Sequence, residues 1–406
     1  MNKTQATILL IMFAITGRAF AESAAAFETF LDDQFASLEK TVPGKFNINA
    51  RTRYEVFNLN TSPSDHRDGF SESVRYGYTT EIFNGFYAMV EGETVTRLGG
   101  NHGDIHPLDD AGDGTDLNQF WLGYENDNYG KAKVGRQIFI LDDSRFIGNV
   151  GWRQNMQTFD AVTAAFTGVE NLTVHGLYMD GVNRVNSDHT KMDTSGANAN
   201  YTFCDSLSLT GFYYHIKSSD SDAFSNDTLG LRATGKYQLD EVSLAYAFSY
   251  AHQDDNSQSP TDIDADYWAG DLSATLDALT VGAGFEILGD GFRTPLATVH
   301  KFNGYADVFL PVTGLANGLQ DLYVYAGYKI PVWDEKTIPV QVVYHSFDPD
   351  NGSVDYGDEI DLVASYRVNK YVTLVTKYGY YIADDAFGGT GGADKSMFTF
   401  DVNFAY

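Results

Sequence analysis

The chain has 406 residues and a formal charge of −28, from 27 Lys plus Arg against 55 Asp plus Glu. That balance excludes a general nucleic-acid binder, which needs a basic footprint, and 43% hydrophobic residues exclude a disordered chain. A single cysteine leaves no disulfide framework and no Cys-based zinc site, while 39 Gly, 26 Tyr and 28 Phe beside only 9 Pro suit strands joined by turns.

Residues 1–21 have the layout of a cleaved secretory signal. Met1-Asn2-Lys3 is basic, Thr7 to Ile15 is apolar, and Ala19-Phe20-Ala21 is a small-x-small cleavage site. The apolar run is well short of the ~20 residues that a spanning helix needs. Residues 22–44 form a short periplasmic leader. Phe27, Phe30, Leu31, Phe35 and Leu38 lie near helical spacing ahead of Val42-Pro43-Gly44. Two readings of the leader stand together: an amphipathic helix over Ser23–Leu38 that caps a barrel, or a loosely held segment. Lone Cys204 reads as an inert thiol near a turn.

From Lys45 to the chain end the period is two. Phe46, Ile48, Ala50, Thr52, Tyr54 and Val56 alternate with Asn47, Asn49, Arg51, Arg53 and Glu55, and Leu229, Leu231, Ala233 and Tyr237 alternate with Gly230, Arg232, Thr234 and Lys236. One face is apolar and the other is too wet for a core, so the pattern predicts lipid outside and a water-filled lumen inside. Short links, such as Asn84-Gly85, Cys204 to Ser206 and Asp277-Ala278, alternate with long ones at 58–70, 98–116, 140–156, 180–196, 218–226, 253–264, 288–320, 348–356 and 383–394. Short periplasmic turns and long extracellular loops predict an all-β transmembrane antiparallel barrel of about eighteen strands over 45–406, in the bacterial outer membrane. Phe398, Phe400, Val402, Phe404 and Tyr406 alternate to the end, as in the terminal signal read by the barrel assembly machinery. The expected surroundings are outer-membrane lipid and lipopolysaccharide.

Charge is divided. Asp104, Asp109, Asp110, Asp113, Asp116, Asp254, Asp255, Asp262, Asp264, Asp348, Asp350 and Asp355 crowd the outer loops. They lack the spacing of a calcium-binding loop and read as solvated acidic surface. The lumen face is expected to carry Arg51, Arg53, Arg75, Arg97, Lys133, Arg136, Arg232, Lys236, Lys329, Arg367 and Lys377, with Glu55, Glu81, Glu91, Glu93, Glu125, Glu286, Glu359 and Asp361 among them. Two readings are open. Arg and Lys lining a pore favour anions, or the opposite charges pair across strands and set register. The acidic loops would themselves repel anions. Arg145 and Arg153 in 140–156, and Arg293 and Lys301 in 288–320, mark these two loops as the ones to narrow the pore.

No G-x-S-x-G or H-E-x-x-H motif is present, and Gly388-Gly389-Thr390-Gly391-Gly392 lacks the Lys of a phosphate loop. Neither an enzyme nor a cofactor or metal is expected. The roughly two dozen residues between signal and first strand leave no room for the plug domain of an energy-coupled receptor.

Several stretches resemble the alginate-export family of outer-membrane porins. They are Arg51-Thr52-Arg53-Tyr54-Glu55, Gly130-Lys131-Ala132-Lys133-Val134-Gly135-Arg136-Gln137, Gly151-Trp152-Arg153-Gln154-Asn155-Met156-Gln157-Thr158-Phe159-Asp160, Gly289 to Asp307, and Ala316 to Tyr323. The resemblance implies a monomeric eighteen-stranded barrel and an Arg-rich lumen passing anionic solutes such as uronates, with Arg53, Arg136, Arg145, Arg153 and Arg293 toward the pore. The chain departs from it in its low Arg content and acidic loops. The expected function is passive diffusion of hydrophilic, anionic solutes. The alternatives are a polysaccharide secretion channel of a biosynthetic complex and a barrel that supports an adhesin or an enzyme.

Overall fold

The computed structural model describes residues 18–59, 66–101, 113–333, 335–384 and 392–406. The apolar run Thr7–Ile15, the acidic residues Asp104, Asp109 and Asp110, and most of the glycine run at 388–392 lie outside the described residues.

Eighteen strands form one antiparallel sheet in which each pairs with its chain neighbours. They are β1 (Lys45–Leu59), β2 (His66–Thr79), β3 (Phe86–Asn101), β4 (Gly114–Asn126), β5 (Gly130–Gln137), β6 (Thr158–Val169), β7 (Leu172–Asn183), β8 (His189–Cys204) and β9 (Leu207–Ile216). There follow β10 (Asn226–Leu239), β11 (Val242–Asp254), β12 (Asp264–Leu276), β13 (Leu279–Leu288), β14 (Leu319–Pro331), β15 (Thr337–Asp348), β16 (Gly357–Arg367), β17 (Val372–Ala383) and β18 (Lys395–Ala405). β1 also pairs with β18, from Asn49↔Ala405 to Leu59↔Lys395, so the sheet closes and has no free edge. Closure is what a sheet in lipid requires, since an open edge would leave backbone groups without partners.

The period-two pattern fixes which face is which. Leu229, Leu231, Leu272, Leu322 and Val324 stand exposed on the outer wall, where lipid replaces water. Near the short turns the exposed outer residues become aromatic: Phe83, Phe86, Tyr124, Tyr129, Phe203, Tyr237 and Tyr328, the girdle expected at a membrane interface. The turns themselves are tight. Asn84, Asn171, Asp240 and Asp277 take φ of 51°, 61°, 49° and 50°, a left-handed conformation that Asn and Asp tolerate better than other side chains. At the opposite rim, outward tyrosines donate to a carboxylate on the next strand: Tyr213 to Asp227 at 3.3 Å, Tyr250 to Asp266 at 2.9 Å and Tyr344 to Asp358 at 2.8 Å.

Two sequence expectations change. The outer link expected over 180–196 is mostly ladder, because β7 and β8 run on until only 184–188 connect them. Polar residues above the membrane still gain from pairing backbone groups, so alternation in polarity ends before the strand does. The helix preceding the barrel, α1 (Arg18–Thr41), extends past the expected Ser23–Leu38 at both ends. It lies at the short-turn rim. Phe35 stacks on Tyr406 at 3.4 Å between centroids, and Asp32 meets Lys370 at 2.5 Å and the Tyr371 hydroxyl.

Lipid-facing and lumen-facing positions on one strand should respond oppositely to charge. Leu231→Arg on β10 is expected to lower folding free energy in lipid vesicles by roughly 2–4 kcal/mol. Thr234→Arg, on the face shared with Arg232, should leave the urea midpoint close to the native value.

Candidate functional site

The segments that join β5 to β6 (138–157) and β13 to β14 (289–318) both turn inward. They meet in the lumen. Ile147 and Leu296 form a parallel bridge, and Gly148 donates to the Leu296 carbonyl at 2.8 Å. Around that contact Phe146, Phe292, Tyr267 and Phe212 pack ring on ring. The result is an apolar knot inside a polar tube.

Ion pairs fasten the knot to the wall. Arg145 reaches Glu286 of β13 at 2.8 Å, with only 1% and 5% of the two side chains exposed, and Asn303 joins Glu286 at 2.7 Å. Arg232 of β10 pairs with Asp143 at 2.7 Å. Arg153 meets Asp307 at 3.5 Å, tying one loop to the other. Glu93 of β3 accepts from the Met156 amide at 3.0 Å and pairs with Arg75 at 3.3 Å. On β16, Glu359 and Asp361 accept the backbone N–H groups of Ala306 and Tyr305 at 2.6 and 3.0 Å. Strands spread around the whole barrel thus hold two loops.

Trp152 is the centre of the seam side. Arg53 pairs with Asp401 of β18 at 2.6 Å and donates to the Trp152 carbonyl at 2.8 Å. Arg51 donates to the carbonyls of Gly151 at 2.9 Å, Trp152 at 2.7 Å and Arg153 at 3.1 Å. The indole lies under Arg53, Arg153 and Lys377 at 4.5, 4.9 and 5.4 Å and stacks on His300 at 3.4 Å, 11° from parallel. His300 Nδ1 sits 2.8 Å from Asp307, and Lys377 Nζ sits 3.2 Å from Nε2. A lysine ammonium only donates, so Nε2 accepts and Nδ1 carries the proton to Asp307. Burial pushes the imidazole down to about 3, with Lys377 and Arg153 adding to it. Burial works to raise Asp307, but His300 and Arg153 outweigh it and hold the carboxyl below its usual range.

The remaining sequence-derived positions separate by height and face. Lys377 (β17) enters the knot, as above. Lys133 faces inward over the Trp121 ring at 4.0 Å. Glu91 faces inward and accepts from Asn47, Asn118 and Gln119. Lys236, Lys329 and Glu125 stand exposed toward the short-turn end of the lumen face. Five positions depart from expectation. Arg136 pairs across strands with Phe120 and Asp160 and shares the outer face with Val134, because two residues of opposite parity, Lys133 and Arg136, cannot both point inward; it forms a 2.7 Å pair with Asp160. Arg97 is exposed at the outer end of β3, away from the knot. Glu81 lies beyond the end of β2, in the turn. Arg367 folds onto the carbonyls of Asn369 and Lys370 at the rim. Arg293 also turns from the lumen, toward the outer connections, donating to the Ala223 carbonyl at 2.9 Å and Thr261 Oγ1 at 3.2 Å. Sequence reasoning did not find Asp143, Asp307, Asp321 and Asp401, the acidic partners; nothing local in the chain marks a carboxylate whose partner sits on another strand or loop.

Beside the knot a cavity of about 440 Å³ opens along β10 to β16, lined by Arg232, Asp271, Lys301, Tyr305, Asp321, Tyr323, Tyr325 and His345 among others. No cluster able to hold a metal ion occurs among the described residues.

The family model described as alginate export matches residues 42–286. The chain belongs to the alginate export family. Its barrel is that of outer-membrane porins. OccK9 (OpdG) of Pseudomonas aeruginosa superposes with a TM-score of 0.71 at 14% identity, covering 89% of this chain and 98% of that one. OccAB3 of Acinetobacter baumannii gives 0.70 at 14%, over 89% and 99%. OpdK of Pseudomonas aeruginosa, crystallised with vanillate, gives 0.68 at 13%, over 89% and 98%. At such identities the likeness concerns the fold. No curated protein matches the chain in sequence.

Removing one partner of a buried pair strands the other. Arg145→Ala is expected to destabilise the folded barrel by roughly 3–5 kcal/mol in urea titrations, and Arg145→Leu with Glu286→Leu to recover most of it. The His300 lock has a defined acid sensitivity. A free imidazole takes its proton near 6.5 and the seated one only near 3. The unseated loop therefore binds more protons in between, and seating weakens as pH falls through that window. Single-channel conductance should rise between about pH 6.5 and 3, and His300→Gln should flatten that rise.

Proposed function

We propose that this member of the alginate export family is a passive outer-membrane channel for small hydrophilic solutes, which cross the space left beside the two inward loops. The observation that carries this reading is the knot itself. Two loops bound by buried charge pairs narrow an otherwise wide lumen without filling it, since a cavity of about 440 Å³ remains at their flank. A lumen of that kind favours monomeric or short solutes; passage of a polymer would require both loops to leave their anchors.

The wall does not favour anions strongly. Arg51, Arg53, Arg75, Arg145, Arg153 and Arg232 each hold a carboxylate or a loop carbonyl, so their charge is spent on structure. An anionic solute is the second reading. The family's alginate description and the vanillate neighbour support it, and Lys133, Lys236 and Lys329 would be the cations that meet such a solute. We place the barrel in the outer membrane as a monomer, delivered through a signal at residues 1–21 that is cleaved on export, folded by the barrel assembly machinery, with lipopolysaccharide against its outer leaflet face.

Reversal potential across a planar bilayer in a KCl gradient tests both readings. Discrete conductance with weak or cation-leaning selectivity is expected. Anion selectivity that falls when Lys133, Lys236 and Lys329 are changed to Gln would establish the second reading instead, and an absence of conductance would defeat the channel.

A further inference from the structure

On the far wall of the cavity, two tyrosines lie flat against the barrel. Tyr323 and Tyr325 of β14 cross over Gly284 and Gly282 of β13: a Cβ on Gly284 would stand 2.4 Å from the Tyr323 ring, and one on Gly282 would stand 2.3 Å from the Tyr325 ring. Only glycine leaves room for rings in that position. Each ring thereby reaches one strand further, and both hydroxyls donate to Asp271 of β12, at 3.2 and 3.0 Å. The two ring planes are 23° apart with centroids at 6.3 Å. They form a continuous aromatic floor with a carboxylate at its edge.

The other carboxylates around this floor already have partners on the protein. Arg232 holds Asp143, and Lys301 donates to the Asp143 carbonyl at 2.8 Å. Glu286 is taken by Arg145, and Asp321 by His345 at 2.9 Å. Asp361 accepts the Tyr305 amide. Among the described residues no cation lies within ion-pair distance of Asp271. A carboxylate offers about four acceptor sites, of which the tyrosines use two. Aromatic faces attract cations, and an ammonium–carboxylate hydrogen bond is among the stronger ones.

We propose that Asp271, Tyr323 and Tyr325 form a subsite for an amino sugar, a solute carrying a protonated amine on a pyranose ring. The ring stacks on the tyrosine floor, the ammonium donates to Asp271, and a hydroxyl meets Gln341 on the cavity wall. This deepens the channel reading and rests on it, by naming the solute class.

Three sugars of one shape test it: glucosamine, glucose and glucuronate, measured by equilibrium dialysis against the whole detergent-solubilised protein at pH 6, where the amine is protonated. Glucosamine is expected to bind ~10-fold tighter than glucose, the worth of about one such ion pair, with glucuronate weakest. Asp271→Asn should remove the glucosamine advantage over glucose. The comparison on the native protein needs no variant. Equal binding of the three, or glucuronate the tightest, overturns the proposal. If binding fails while KCl conductance persists, the subsite is wrong and the channel stands; if glucosamine binds but no conductance is seen, the channel reading falls and the subsite stands.

Discussion

Inside this barrel everything follows from the need to match buried guanidinium groups with carboxylates. A charge moved out of water into a narrow, protein-lined space is costly unless it is paired and hydrogen-bonded. The wall meets that requirement by using its acidic residues as sockets for loop cations, as Glu286 does for Arg145, and its own cations as clamps on loop carbonyls, as Arg51 does over Gly151 to Arg153. The position of the two inner loops and the space left beside them are set by these pairs. A lumen dense in arginine need not be an anion path: what counts is the charge left after the loops are satisfied.

The outer wall answers to a different constraint, the absence of water. There the backbone is satisfied by closure of the sheet, and side chains contribute by being apolar or by placing aromatic rings at the interface. The separation of the two constraints on alternate residues explains why the chain is readable at all. Residues such as Leu229 and Leu231 obey the membrane, and Arg232 and Thr234, on the same strand, obey the lumen.

That separation also sets how far the sequence can be read. Strand parity, the strand number and the two Arg-bearing loops are local properties, and the alternation at Lys45 to Val56 or the terminal run to Tyr406 displays them directly. Parity does not say at what height a residue sits, so Arg97 and Arg367 read like the lumen arginines although one lies at the outer end and the other at the turns. Nor does it pair residues across the tube. Arg53 and Asp401 are 348 positions apart, and their meeting depends on the last strand closing on the first. Arg136 shows a third limit: a one-residue choice beside Gly135, at φ 122°, decides whether the side chain is inside or out. The tyrosine floor over Gly282 and Gly284 is legible only once two strands are placed side by side.

The pair Arg53–Asp401 joins the first and last strands, and the same arginine holds the Trp152 carbonyl. This one anchor of the inner loop is therefore built from both sides of the closing seam and is complete only when the seam is shut. A barrel still open between β1 and β18 would keep the anchors on β3, β10, β13 and β16 but lack this one. The Trp152 clamp is in this sense a record that the first strand has met the last.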